Sequence, residues 1–313
     1  MGRLRDWGLL LICNLIWGGQ FVVYKIVQKQ VSPVVAVLFP MTLATLLLMP
    51  IVRYERRKNN TLSKLPARDI GAFVLIGILG QVVAQLFTAW GVKLTPASNA
   101  ALLALIQPVT TAFMAFLILN ERMTTVRWVS FAFALLGVVE CSGIRWEELD
   151  FNGGRYLLGN FMIFLSIVGS AFYNSYSKKL LTRYSPLQVI LYSYYVFVLF
   201  MLPIAIYTEP EAFRNVLNYQ PQVWLGLALL AVLNYFLAMV IFLIVLTRLD
   251  ATQAALSNYL IPLFGVLTAA VVLHERLTKF MVVGGILVLA STLLMTIYEE
   301  RQRIVAEAAG SNS

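Results

Sequence analysis

Five polar side chains recur through an otherwise apolar run at the spacing of one helix face: Ser166, Ser170, Tyr173, Asn174 and Ser177 fall at i, i+4, i+7, i+8 and i+11. Elsewhere Gln81 and Gln85 stand one turn apart, Gln107 and the pair Asn234-Tyr235 interrupt other apolar runs, and Trp17, Gln20 and Tyr24 share a face of the first run. All are neutral hydrogen-bonding or aromatic groups. They neither attack a substrate nor exchange protons near neutral pH; they can hold a polar solute. Any one alone reads as a contact between helices, and small residues also serve close packing. A stripe of five in apolar surroundings must face protein or water, which suits a wetted cavity. The candidate binding set from these residues is Trp17, Gln20, Tyr24, Gln81, Gln85, Gln107, Ser166, Ser170, Tyr173, Asn174 and Asn234.

Ionisable residues sit elsewhere. Lys25, Glu140 and the single histidine, His274, lie near the ends of apolar runs, where long side chains reach the interface. The four aspartates, Asp6, Asp69, Asp150 and Asp250, are near run ends or between runs, so no mid-run pair exists for an aspartyl protease. No Gly-x-Ser-x-Gly accompanies a mid-run histidine, and the acidic group Glu147, Glu148 and Asp150 falls between runs, away from any prenyl-transfer site. Cys13 and Cys141 lie inside apolar runs and suggest neither a disulfide framework nor a metal site. The pattern asks for no cofactor. An intramembrane enzyme is thus the weaker alternative; a membrane scaffold would need no polar interior.

Positioning such residues requires helices in a bilayer. Of 313 residues 60% are hydrophobic and 12% charged, with a mean hydropathy of +0.79, too little charge to cover a soluble protein of this size. The net charge of +9 comes from Lys and Arg in short gaps between apolar runs, a pattern of membrane topology, not of nucleic-acid binding. A spanning helix takes roughly 17 to 25 residues, and ten spans are expected at about 7–27, 34–52, 70–92, 97–119, 126–143, 157–177, 187–207, 223–247, 252–273 and 280–298. The first run continues past Trp17-Gly18 without a small-residue cleavage pattern, unlike a signal peptide. Residues 299–313 read as a frayed cytoplasmic tail.

The chain repeats itself. Ala97–Thr124 and Ala251–Thr278 share ten of 28 positions at an offset of 154, among them Pro108/Pro262, Glu121/Glu275, Arg122/Arg276 and Thr124/Thr278. Upstream, Lys25, Ser32-Pro33 and Pro50 recur as Lys178, Ser185-Pro186 and Pro203 at an offset of 153. Five spans per unit is an odd number, so the second unit, 151–298, enters the membrane inverted relative to the first, 1–150. On alternate sides of the spans Lys and Arg number sixteen against eight, which puts both termini in the cytoplasm. Pro108 and Pro262 fall mid-span, as packing kinks or gating points. The Glu-Arg pairs stand just past helix ends, placed to cap the turn into the next span.

Trp17-Gly18, Phe21, Lys25, Ser32-Pro33 and the run from Ala97 through Pro108 to Glu121-Arg122-x-Thr124, with the closing pattern repeated at Pro262, Glu275, Arg276 and Thr278, resemble the EamA-type unit of the drug/metabolite transporter superfamily. The resemblance covers nearly the whole chain and implies a twelfth candidate binding residue, Lys25. It implies an all-α membrane protein of ten transmembrane helices in two inverted five-helix repeats around a central cavity, in a bacterial inner membrane. It also implies export or exchange of small solutes: amino acids, other metabolites, drugs or, in related branches, nucleotide sugars. Members often carry an arginine about six residues after the Ser-Pro, where this chain has Phe39. With no countercharge at mid-depth, the expected partners are the lipid bilayer and a neutral or zwitterionic solute such as an amino acid, rather than a nucleotide sugar.

Overall fold

The computed structural model describes residues 2–58, 66–119, 125–141, 155–248, 257–258, 260–276, 278–280 and 282–287, with 290, 294, 297–298 and 301. Among these residues every regular element is helical. They are α1 (Gly2–Val27), α2 (Pro33–Lys58), α3 (Ala67–Leu94), α4 (Ala97–Leu119), α5 (Thr125–Cys141), α6 (Arg155–Leu180), α7 (Pro186–Thr208), α8 (Pro221–Leu246) and α9 (Leu260–Leu273). A short helix, Pro210–Arg214, and a 3₁₀ turn, Val216–Asn218, link α7 to α8. Seven of the helices, α1 to α4 and α6 to α8, are long and apolar enough to cross a membrane. The tenth expected span, 280–298, is described only in part, and the pair Glu121-Arg122 lies outside the described residues, as does nearly all of the tail.

The repeated Ser-Pro starts helices. Ser32 Oγ accepts the Val35 N–H at 3.2 Å, and Ser185 forms a full capping box with Gln188, each followed by a proline at the first helical position. Both serine hydroxyls also donate to a carboxylate: Ser32 to Glu209, and Ser185 to Glu55 at 2.8 Å. The start of α2 thus meets the end of α7 and the start of α7 meets the end of α2, so the two helices run antiparallel. A second exchanged pair joins other helix ends. Thr95 donates to Asn160 Oδ1 at 2.8 Å, and Arg248 pairs with Asp6 at 2.7 Å. Glu55 and Glu209 are 154 residues apart, as are Asp6 and Asn160, while Thr95 and Arg248 are 153 apart.

One end of the bundle collects the Asp6–Arg248 pair, the Ser185–Glu55 bond, and Asp69 with Arg183 and Tyr184. Tyr184 donates to Asp69 at 2.5 Å, and partial burial together with this bond pushes its phenol up to about 12. The opposite end holds Ser32–Glu209, Gln30 accepting the Gln220 N–H, and the Thr95–Asn160–Asn99 cluster.

Three helices change pitch. Ile76–Leu86 in α3 and Leu230–Ala238 in α8 are π-helical, and the stretches begin 154 residues apart. In α4 the α pitch tightens to a 3₁₀ turn at Ala104–Ile106, just before Pro108, whose ring crowds the carbonyl four residues back and which has no N–H to donate. Glycines allow the closest approaches. A Cβ on Gly169 of α6 would stand 2.8 Å from the Ala84 backbone nitrogen of α3, so the two backbones meet only because that atom is missing.

Candidate functional site

Six segments converge on one cavity. α1 supplies Trp17, Gln20 and Phe21; the π stretch of α3 supplies Gln81, Ala84 and Gln85, followed by Thr88; α4 supplies Ala100, Ala104 and Gln107. From α6 come Ile163, Ser166, Ile167, Ser170, Tyr173 and Asn174, from α8 Asn234, Tyr235 and Met239, and from the segment around α9 Asn258 and Ile261. The cavity volume is about 100 Å³. No acidic, basic or histidine side chain is on this wall among the described residues.

Ten of the twelve candidate residues therefore meet: Trp17, Gln20, Gln81, Gln85, Gln107, Ser166, Ser170, Tyr173, Asn174 and Asn234. Tyr24 is fully buried behind the wall, its hydroxyl bonded to that of Tyr235, whose backbone carbonyl in turn accepts from Tyr194 at 2.8 Å. Lys25 lines a different pocket of about 450 Å³ with Lys93, Thr95, Tyr156, Glu275 and Arg276. Ser177, last of the stripe, is buried and off the cavity wall. Phe39, at the position where a basic residue is common in the resembling family, packs against Phe213 at 5.5 Å instead of facing the cavity.

The wall is fastened from behind. Trp17 lies 5.1 Å from the Phe242 ring, Ser166 donates to the Ile163 carbonyl at 2.7 Å, and the Tyr173 hydroxyl is 3.4 Å from Ser193 Oγ. Three amide oxygens on the wall, those of Gln81, Asn234 and Asn258, are buried without a hydrogen-bond partner. Each such acceptor, dry and unmatched, costs about 1–3 kcal/mol.

The sequence reading missed Asn258 and Thr88, because a single polar residue in an apolar run carries no periodicity. It also missed Asn99, Asn160 and Thr95, which bond one another at one end of the bundle. Glu275 was expected to cap the turn into the following span. Its carboxylate instead accepts from the N–H groups of Ala97 and Ser98 at 3.1 and 2.9 Å and from Ser98 Oγ at 2.7 Å, capping the start of α4. His274 sets this up. Its φ of 54° turns the chain at the end of α9 and aims the next residue across the bundle.

Known proteins resemble this chain. An uncharacterized transporter of Archaeoglobus fulgidus is 26% identical over 288 residues, covering 92% of this chain and 96% of its own. A probable terminal-alkyne amino-acid exporter of Streptantibioticus cattleyicolor is 29% identical over 230 residues, 73% of this chain and 74% of its own. A solved crystal structure superposes with a TM-score of 0.65 at 17% identity, covering 95% of this chain and 98% of that one, which speaks to the fold alone. The EamA-like transporter family is matched along residues 7–141 and again along 157–297. With that family's pattern met on both halves, the chain belongs to the EamA-like transporters and is a membrane transporter, not an enzyme.

Proposed function

We propose that the protein carries small neutral or zwitterionic metabolites, such as amino acids, across a bacterial inner membrane, as an exporter or exchanger working by alternating access at the central cavity. The observation that carries this reading is the wall itself. It offers amides, hydroxyls and aromatic faces and, among the described residues, no charge. A lone charge held there would go uncompensated, whereas a zwitterion brings its own counterion. The ten wall residues named above hold the solute. Tyr24 supports Tyr235 from behind, and Lys25 acts at the outer pocket. The name of the Streptantibioticus relative, an amino-acid exporter, agrees with this direction and class.

Ten spans in two inverted halves, 1–150 and 151–298, with both termini and the tail 299–313 in the cytoplasm, form the proposed frame. The exchanged contacts support it: Ser32–Glu209 against Ser185–Glu55, and Thr95–Asn160 against Arg248–Asp6, are what two copies related by an in-plane two-fold axis make at opposite ends. Because no carboxylate, lysine, arginine or histidine is on the wall among the described residues, transport proceeds by facilitated diffusion or exchange without proton coupling. Uptake of labelled amino acids and nucleotide sugars into proteoliposomes, with and without a pH gradient, tests this. Flux of amino acids that is indifferent to the gradient is expected; flux confined to phosphorylated solutes, or strictly dependent on the gradient, overturns it.

A further inference from the structure

The three unpartnered oxygens on the cavity wall belong to side chains exposed by only 1% (Gln81), 4% (Asn234) and 2% (Asn258). Gln81 and Asn234 stand 153 residues apart, the offset that relates Lys25 to Lys178, and each sits within a π-helical stretch. The two repeats therefore place an amide with an unmatched, buried oxygen at equivalent positions of α3 and α8. Asn258 adds the third from the segment leading into α9.

We infer that Gln81, Asn234 and Asn258 are the seat of a primary ammonium group, the positive pole of the zwitterion in the transport reading on which this inference rests. Three carbonyl-type acceptors need three donors. A primary ammonium has three N–H groups and no acceptor; a hydroxyl has one donor, and a carboxylate has none. The Trp17 ring on the same wall adds attraction for a cation. The ammonium is held without a fixed carboxylate, so the solute must carry its own negative pole to bind well. The cavity, at about 100 Å³, favours a short side chain.

A set of four solutes sharing one carbon skeleton reads this directly: valine, isobutylamine with the carboxylate removed, isovalerate with the amine removed, and the N,N,N-trimethyl betaine of valine. Binding to the purified full-length protein is measured by equilibrium dialysis, with the melting curve checking its fold. Valine should bind most tightly and isobutylamine more tightly than isovalerate, while the betaine, which has lost all three N–H groups, should be at least tenfold weaker than valine. Isovalerate equal to or tighter than isobutylamine, a betaine less than tenfold weaker than valine, or no binding of any of the four overturns the assignment. A gain-of-function variant gives a second reading. Asn234→Asp should tighten isobutylamine at least tenfold at neutral pH; a smaller effect, or tighter isovalerate, counts against the seat. Where that variant does not fold, Gln81→Glu is measured against the same threshold. The two claims fail separately. Proteoliposome flux of isovalerate or a nucleotide sugar leaves a transporter without an ammonium seat, whereas the expected binding order without flux of any solute leaves the seat and removes transport.

Discussion

His274 and Glu275 show how a single turn can join distant parts of the chain. A left-handed φ costs an L residue roughly 1–2 kcal/mol, a strain that glycine does not feel and a β-branched residue feels most. His274→Gly should therefore leave the melting temperature in detergent unchanged or higher, and His274→Val should lower it; equal effects of the two would mean that the turn at φ 54° carries no strain. Glu275 accepts three hydrogen bonds at the start of α4. Bonds to a charged acceptor are worth about 1.5–3 kcal/mol, and half-burial of this one argues for the lower end. Glu275→Ala should thus destabilise by about 1–2 kcal/mol, with Glu275→Gln in between. A melting curve for the alanine variant that overlays the parent would show that the cap contributes nothing.

Among the helices, α6 does the most to shape the cavity. It packs on α3 and α4, and Gly169 lets it approach α3 until an added Cβ would be 2.9 Å from Val83 Cγ1. Gly169→Val should push the helices apart at a cost of about 1–3 kcal/mol, and reduce transport more than stability, since the two helices that separate carry Gln81, Gln85 and the serine stripe. Retention of full flux in a variant melting several degrees lower would break that link. The stripe itself can be mapped by single cysteines. Those at Ser166, Ser170 and Asn174 should react with a small aqueous thiol reagent, whereas one at Phe161, on the outer surface of the bundle, should not. Uniform protection along the stripe would make it a packing face.

For the molecule as a whole, the exchanged contacts differ in chemistry. One end is tied by the Asp6–Arg248 ion pair and the repeat-equivalent place at the other by the neutral pair Thr95 and Asn160. Asp6→Asn should loosen only the first end, raising aqueous labelling of a cysteine at Asn14, which lies two turns inside it, without changing labelling of one at Asn99. Parallel changes at both positions would show the ends to be mechanically coupled in one state. Orientation has its own test: a cysteine at Asn59 should resist an impermeant reagent applied to intact cells, and external labelling there would reverse the assignment of the Lys- and Arg-rich side.

Much of this was legible in the chain, for a bilayer limits what a sequence can do. Backbone groups in lipid must be satisfied within a helix, so long apolar runs become α1 to α4 and α6 to α8; a polar stripe of helical period must face protein or water, and the stripe from Ser166 to Asn174 faces the cavity. The Ser-Pro pairs start helices through local capping, which is also written in sequence. Other features depended on tertiary structure. Tyr24 shares a helix face with Trp17 and Gln20 yet lies behind the wall, because the helix packs there against Tyr235. Asn258 has no periodic neighbours, and Glu275 caps a helix 178 residues away in the chain. Periodicity reports which residues share a face; only the packing of one helix on another decides how far along that face the cavity extends and which buried oxygens are left unmatched within it.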